Sequence, residues 1–375
     1  MNDRSLRQIV LGLGGKTNGT PREGGFDITA ASEIMAILCL ANDVEDLRKR
    51  LDRTLLAFRY TDEPVYLHQC RFTGSLMALL SDAMHPNLVQ TLYGVPAFIH
   101  GGPFANIAHG CNSVIATKMA MHHSEWAITE AGFGFDLGAE KFLDIKCVSG
   151  GLKPEAVVVV ATIRALRHHG GAQKEEYNTA SVERVSAGFA NLEKHLENVK
   201  KFGLNPVVAI NAFPTDTNEE VQFVQRKCKE LGVQAIVARG WADGGEGMTD
   251  LVKAVVSEIE GGKNAFKSLY NWNTSIKDKI ETIAREIYGA DGVDYSKQAL
   301  TDLKQIESLG LSDLPVCMAK TQKSFSDNDA LLGRPTNFRI TIREFEFAAG
   351  AGFVIPILGN RSEDNTSELK SHHEL

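Results

Sequence analysis

The feature that most constrains this chain is an alternation between about residues 95 and 262. Short apolar runs rich in Val, Ile and Ala, each bounded by turn residues, trade places there with amphipathic helical stretches. The runs are VPAFIH (Val95–His100), EWAITEA (Glu125–Ala131), EAVVVVAT (Glu155–Thr162), NPVVAIN (Asn205–Asn211) and QAIVARG (Gln234–Gly240). Near-continuous apolar runs suit strands covered on both faces, as in parallel sheets whose crossovers are helices. The order strand–helix–strand therefore predicts an α/β fold with a mostly parallel sheet and right-handed crossovers. Ligands in such sheets gather where strands end and helices begin. Four loops are singled out by that rule: GGPFANIAHG, AGFGFDLG, NAFPTDT and GWADGGEG.

The helices are legible from their spacing. Val182, Val185, Phe189, Leu192, Leu196 and Val199 recur at steps of three and four and stop at Gly203. Under three heptads, that pattern reads as a core-facing helix rather than a coiled coil. Thr217 and Glu220 form a capping-box pattern ahead of Val221, Val224, Cys228 and Leu231. A third helix is expected from about Met248 to Ile259, ending at Gly261. Earlier, DITAASEIMAILCLAN predicts a buried helix capped by Asp27 or Thr29, with Val44, Leu47, Leu51 and Leu55 along one further helical face. These textures divide the chain into a helical, turn-rich lobe (1–95), an α/β domain (96–262), a small α+β lobe (263–360) and a polar tail (361–375) expected to fray.

Charge and composition remove several function classes. The formal net charge is -7, and no Lys/Arg stripe stands out, so a nucleic-acid partner is not expected. The most apolar stretches, such as Ile34–Leu40, are too short to span a bilayer, and MNDRSLRQIV has no signal core. The expected location is the cytoplasm. The six cysteines show no C-x-x-C pair and read as reduced core thiols rather than a zinc site.

Each glycine loop has a bland and a functional reading. Gly15-Lys16-Thr17 matches the end of a phosphate loop, but the first glycine of that pattern would fall at Val10. A Gly-rich turn leaving a strand fits better. Phe133, between Gly132 and Gly134, is either a core plug or a stacking face. Trp241 can cap the sheet, and Phe213 with Pro214 can be a turn fixed by proline. Three aromatics at strand ends of one expected sheet predict a slot for a flat heteroaromatic ligand. Asn106, His109, Asn112 and Ser113 add polar groups to the same rim, with His109 read as structural rather than as a general base. His122–His123 and His168–His169 are adjacent pairs whose side chains diverge on a helix, which makes them poor metal ligands.

Nine stretches together resemble the formate–tetrahydrofolate ligase family. They are GLGGKTNGTPREGGFDITAASEIMAILCLA, PNLVQTL, GGPFANIAHGCNSVIATKMA, TEAGFGFDLGAEKFLDIKC, VVATIRALRHHGG, NPVVAINAFPTDT, GGEGMTDLVKAV, PVCMAKTQKSFSD and AGAGFVIP, in family order from about Leu6 to Gly359. The resemblance implies an ATP-dependent ligation of formate to N10 of tetrahydrofolate, through formyl phosphate, in one-carbon metabolism. It implies Mg²⁺ with the ATP, an activating monovalent cation, a homotetramer, and a main domain of the phosphate-loop NTPase type carrying two smaller lobes. Carried over residue by residue, it places Phe213, Pro214 and Trp241 against folate. Phe133, flanked by Gly132 and Gly134, goes near the intermediate, and Asn106 lines the reaction centre. The family's phosphate loop and first sheet strand match nothing in this sequence, and after Gly359 a polar tail replaces the family pattern. The expected sheet is therefore incomplete. The alternative function is a catalytically impaired folate-binding remnant or a complementing subunit.

Overall fold

Three of the five apolar runs form the expected parallel sheet. In the computed structural model, which describes residues 3–26, 28–104, 109 and 112–359, strands β1 (Val157–Ala161), β2 (Pro206–Asn211) and β3 (Gln234–Ala238) lie in that order. Both pairings are parallel, with Val157 opposite Pro206 and Asn211 opposite Ala238. The connections are helical: α1 (Ile163–His169) and α2 (Val182–Lys201) between β1 and β2, then α3 (Asn218–Glu230) before β3. Helix α4 (Thr249–Glu260) follows β3.

The helical spacing read from sequence is the packing observed. Val185, Phe189, Leu192, Leu196 and Val199 of α2 are all buried. The first four join Val208 and Ile210 of β2 and Val224 and Cys228 of α3 in one core. On the other face, Val207 and Ala209 meet Leu251 and Ala254 of α4. The central strand β2 is thus covered on both sides, as its unbroken apolar sequence requires. Shortening Ile210 to alanine there would cost about 2–5 kcal/mol. Strand β1 differs. Among the described residues it is paired along one edge only, and Val158 and Val160 are exposed.

Two expected strands turn out otherwise. Residues 125–131, EWAITEA, adopt no regular structure, and Ile128 is exposed. Among the described residues the run has no strand partner, and an apolar pattern cannot make a strand without one. VPAFIH does hold a strand, Pro96–Ile99, but it pairs antiparallel with Asn87–Gln90 in a two-stranded hairpin. The early helix begins later than expected. Ser32, rather than Asp27 or Thr29, caps Glu33–Leu40 by accepting from the Met35 N–H. Thr29 lies in a separate short turn, and Asp27 is outside the described residues. Leu47 and Leu51 are buried as expected, while Val44 is exposed and Leu55 starts a new strand.

By their contacts the residues divide into two compact units. One comprises residues up to Gly132 with Phe347–Ile355; the other comprises Phe133–Glu346 with the described residues from Pro356. In the first unit the Glu33 carboxylate accepts from the Gly350 N–H (2.7 Å), and the Arg50 guanidinium donates to the Ala351 carbonyl (2.6 Å). These bonds join segments about three hundred residues apart in sequence. The second unit holds the parallel sheet and, beyond it, helices Ile276–Thr282 and Lys297–Ser308 with a parallel strand pairing of Gly292 to Arg339 and Tyr295 to Ile342. Among the described residues no helix is long and apolar enough to cross a membrane.

Candidate functional site

Strands β2 and β3 stay paired to their carboxyl ends, which fixes where the next loops start. Beyond Asn211 and its partner Ala238, the Ala212 N–H donates to the Ala238 carbonyl (3.1 Å). The two loops therefore leave the sheet side by side. Phe213 and Pro214 follow β2 directly, and Trp241 follows β3 within the one-turn helix Gly240–Asp243. Phe213 is half-buried, and Trp241 is 78% exposed.

Each aromatic is held by its own loop. The Phe213 N–H donates to Asp216 Oδ2 (2.8 Å), and the Asp216 N–H donates back to the Phe213 carbonyl (3.0 Å), closing a turn around Pro214. The Arg164 guanidinium, from the first turn of α1, lies 5.1 Å from the centre of the Phe213 ring. For Trp241 the clasp is backbone. The Arg239 N–H donates to the Gly247 carbonyl (3.1 Å), and a Cβ on Gly247 would come within 2.6 Å of the Arg239 carbonyl oxygen. Only glycine fits at 247, and the loop so folded turns the indole outward.

Beneath the Phe213 turn lies a buried ionic network. Arg167 of α1 reaches Glu220 of α3 through Nε (2.8 Å) and Nη2 (2.6 Å), and its Nη1 donates to the Tyr177 carbonyl (2.8 Å). Its Nη2 also donates to the Thr215 carbonyl (3.2 Å), inside the turn itself. Glu220 further accepts from the Ser181 N–H, the Thr217 N–H and the Thr217 hydroxyl. The capping box seen in the sequence is therefore real, but its glutamate does more than cap. Burial pushes the Glu220 carboxyl up, yet Arg167 and the three other donors hold it at about 2. Burial raises Asp216, against the pull of the Phe213 N–H and Arg167.

Phe133 is anchored differently. It is 53% exposed and takes the left-handed backbone conformation, φ +53°, after Gly132 at φ +37°. No strand precedes it. A Cβ on Gly134 would lie 2.6 Å from Asp136 Oδ1 and 3.3 Å from His195 Cε1, so this glycine is pressed onto α2. The Phe135 ring meets the edge of Phe202, 5.7 Å between centroids, at the end of α2 that leads into β2. Asp136 and Lys320 form a buried ion pair (2.6 Å). The structure thus sets the Phe213–Pro214 loop and the Trp241 loop on one rim, and holds Gly134 against α2 with Asp136 paired to Lys320. Asn106 lies outside the described residues. His109 is fully buried, and Ser113 caps helix Val114–His123 while bonding the His100 ring.

The sequence reading gave no role to Arg164, Arg167, Asp136 or Lys320. Arg164 and Arg167 sit three apart in IRALRHH, on one helical face, and that spacing was the available signal. The Gly15-Lys16-Thr17 stretch proves to be the connection of a hairpin. Ile9–Leu11 pairs antiparallel with Arg22–Gly24, and only a single short turn, Lys16–Asn18, lies between. A phosphate cradle needs a strand running into a helix amino terminus. These residues do not fit the phosphates of ATP, so no step is assigned to them. A family model described as formate–tetrahydrofolate ligase matches residues 1–363.

Proposed function

Because this chain belongs to the formate–tetrahydrofolate ligase family, we propose that it takes part in the ATP-dependent formylation of tetrahydrofolate at N10, with folate held at the Phe213–Trp241 rim. One observation carries the placement. Two aromatics stand on adjacent loops at the carboxyl ends of paired parallel strands, one half-buried and one open to solvent. A pterin is flat and π-rich, and such rings bind by stacking between aromatic faces with polar groups at the edge. Pro214 offers a further apolar surface beside Phe213. Phe133, with Gly132 and Gly134, and Asn106 are proposed to border the reacting carbon.

The chemistry sets what else is needed. Formate is a poor acyl donor because hydroxide leaves badly; phosphorylation supplies a better leaving group, and the N10 amine then attacks the formyl carbon. ATP with Mg²⁺ would supply the phosphoryl group, and cationic donors would offset its charge. The family reading extends to a phosphate-loop NTPase type of main domain, an activating monovalent cation, a homotetramer and a cytoplasmic setting. A folate-binding chain without ligase activity is the second reading. It is the reading in which Gly15-Lys16-Thr17, a hairpin connection, supplies no phosphate cradle in place of the family's own loop.

Two measurements separate these readings. Product formation from ATP, formate and tetrahydrofolate tests ligation directly; no 10-formyltetrahydrofolate leaves the second reading. Trp241 fluorescence, with Trp126 and Trp272 replaced by phenylalanine, tests folate at the rim. A signal that does not respond to saturating tetrahydrofolate removes the placement.

A further inference from the structure

We propose that Arg164 is a positioning residue for the folate clamp, holding the Phe213 ring through its guanidinium face while Arg167 holds the backbone beneath it. The inference rests on the folate placement above. Both arginines belong to α1, which starts directly after β1 with Thr162 as its cap, so both stand at the carboxyl rim of the sheet. Arg164 reaches the ring, 5.1 Å from guanidinium carbon to centroid. It is itself fixed by a hydrogen bond from Nη2 to Asn178 Oδ1 (2.9 Å). Three residues on, Arg167 donates to the Thr215 carbonyl (3.2 Å) within the turn that carries Phe213. One short helix thus grips the ring with one arginine and its turn with the other.

The physical role follows from the geometry. A phenylalanine on a loop keeps freedom about its side-chain torsions, and a ligand that stacks on it must freeze them. A planar guanidinium against the ring is attracted by the ring quadrupole and fixes its plane in advance. Arg164 lies over one face of the half-buried Phe213 ring, and the proposal sets the second flat ring on the other. Lysine keeps the charge, and methionine keeps most of the aliphatic volume without it.

The test uses the full chain with Trp241 as the sole tryptophan and tetrahydrofolate as the titrant. Arg164→Ala and Arg164→Met should each weaken binding about tenfold, and Arg164→Lys less than about threefold, a fold-change in the range that an ordered cation–ring contact supplies. Melting temperatures should stay within a few degrees of the parent, since the residue is not part of the buried core. In a double-mutant cycle Arg164→Ala should add almost nothing once Phe213→Ala is present, because the arginine acts through that ring. The proposal is overturned if Arg164→Met binds as the parent does, if Arg164→Lys falls as far as Arg164→Ala, or if the two alanine variants add independently. The folate placement fails separately, if Phe213→Ala leaves binding intact. A parent chain that gives no response overturns both.

Discussion

Glu220 and Glu140 are the same residue type at the same full burial, and their protons behave in opposite ways. Glu220 sits in the first turn of α3 with both oxygens engaged by Arg167, Ser181 and Thr217, and its carboxyl is held at about 2. Glu140 sits in the widened helical stretch that includes Phe135–Ala139 and Phe142–Cys147, and the partner of its carboxyl is a second carboxyl, Asp144, rather than a cationic or backbone donor. Burial raises its carboxyl well above the usual range, and the charge of Asp144, one turn on, raises it further. Asp144 is itself pushed up to about 7 by burial, although the Leu269 N–H donates to it (2.7 Å). Lys141 pulls Glu140 the other way without prevailing. Removal from water therefore does not decide whether a carboxyl is charged. The donors brought to it decide.

The largest test of this contrast removes the donor. Arg167→Ala would leave the buried Glu220 carboxylate without its cationic partner, which should cost about 3–5 kcal/mol and lower the melting temperature sharply or prevent folding. A paired Arg167→Met, Glu220→Leu variant should recover much of that loss. A single variant within about 1 kcal/mol of the parent would show the network to be dispensable.

Next comes the acid limb. The folded Glu220 carboxyl lies below its ordinary value of 4.5, so its stabilisation is complete above that pH and is lost as pH falls towards about 2. The loss should be on the order of 3 kcal/mol across that window. Denaturant melts of Glu220→Gln should show a flatter profile there; parallel profiles would mean that Glu220 is not the group titrating.

The smallest effect has the opposite sign. The Glu140 carboxyl is raised, so its contribution is fully present below about 4.5 and drains away as pH rises. Glu140→Gln cannot ionise, and its stability relative to the parent should therefore rise as the pH climbs above about 4.5. A difference that stays constant with pH would end the contrast between the two glutamates.

How much of this could be read from the sequence depends on how local each signal is. The valine runs of β1, β2 and β3, the three- and four-step spacing of α2 and the Thr217–Glu220 box are all written within about twenty residues, and all three readings match the structure. EWAITEA forms no strand, and VPAFIH forms its strand in a separate antiparallel pair, for one reason: a strand needs a neighbour, and the neighbour's place is not encoded in the strand's own pattern. The Arg167–Glu220 pair spans 53 residues and leaves only two arginines at helical spacing as its trace. Of the site, Phe213 and Trp241 stand on the neighbouring strand ends that the loop rule pointed to. Phe133 does not follow a strand, because the expected strand before it does not form.

Strand β1 carries a consequence for how the protein behaves in bulk solution. Its outer backbone amides and carbonyls have no ladder partner among the described residues, and beside them Val160 shows 66% of its surface. A bare strand flank dressed in branched hydrocarbon is a template on which any extended chain can lay itself down. Concentrated preparations should scatter light increasingly with time, and a lysine at position 160 would act as a gatekeeper against that growth without touching the aromatic rim.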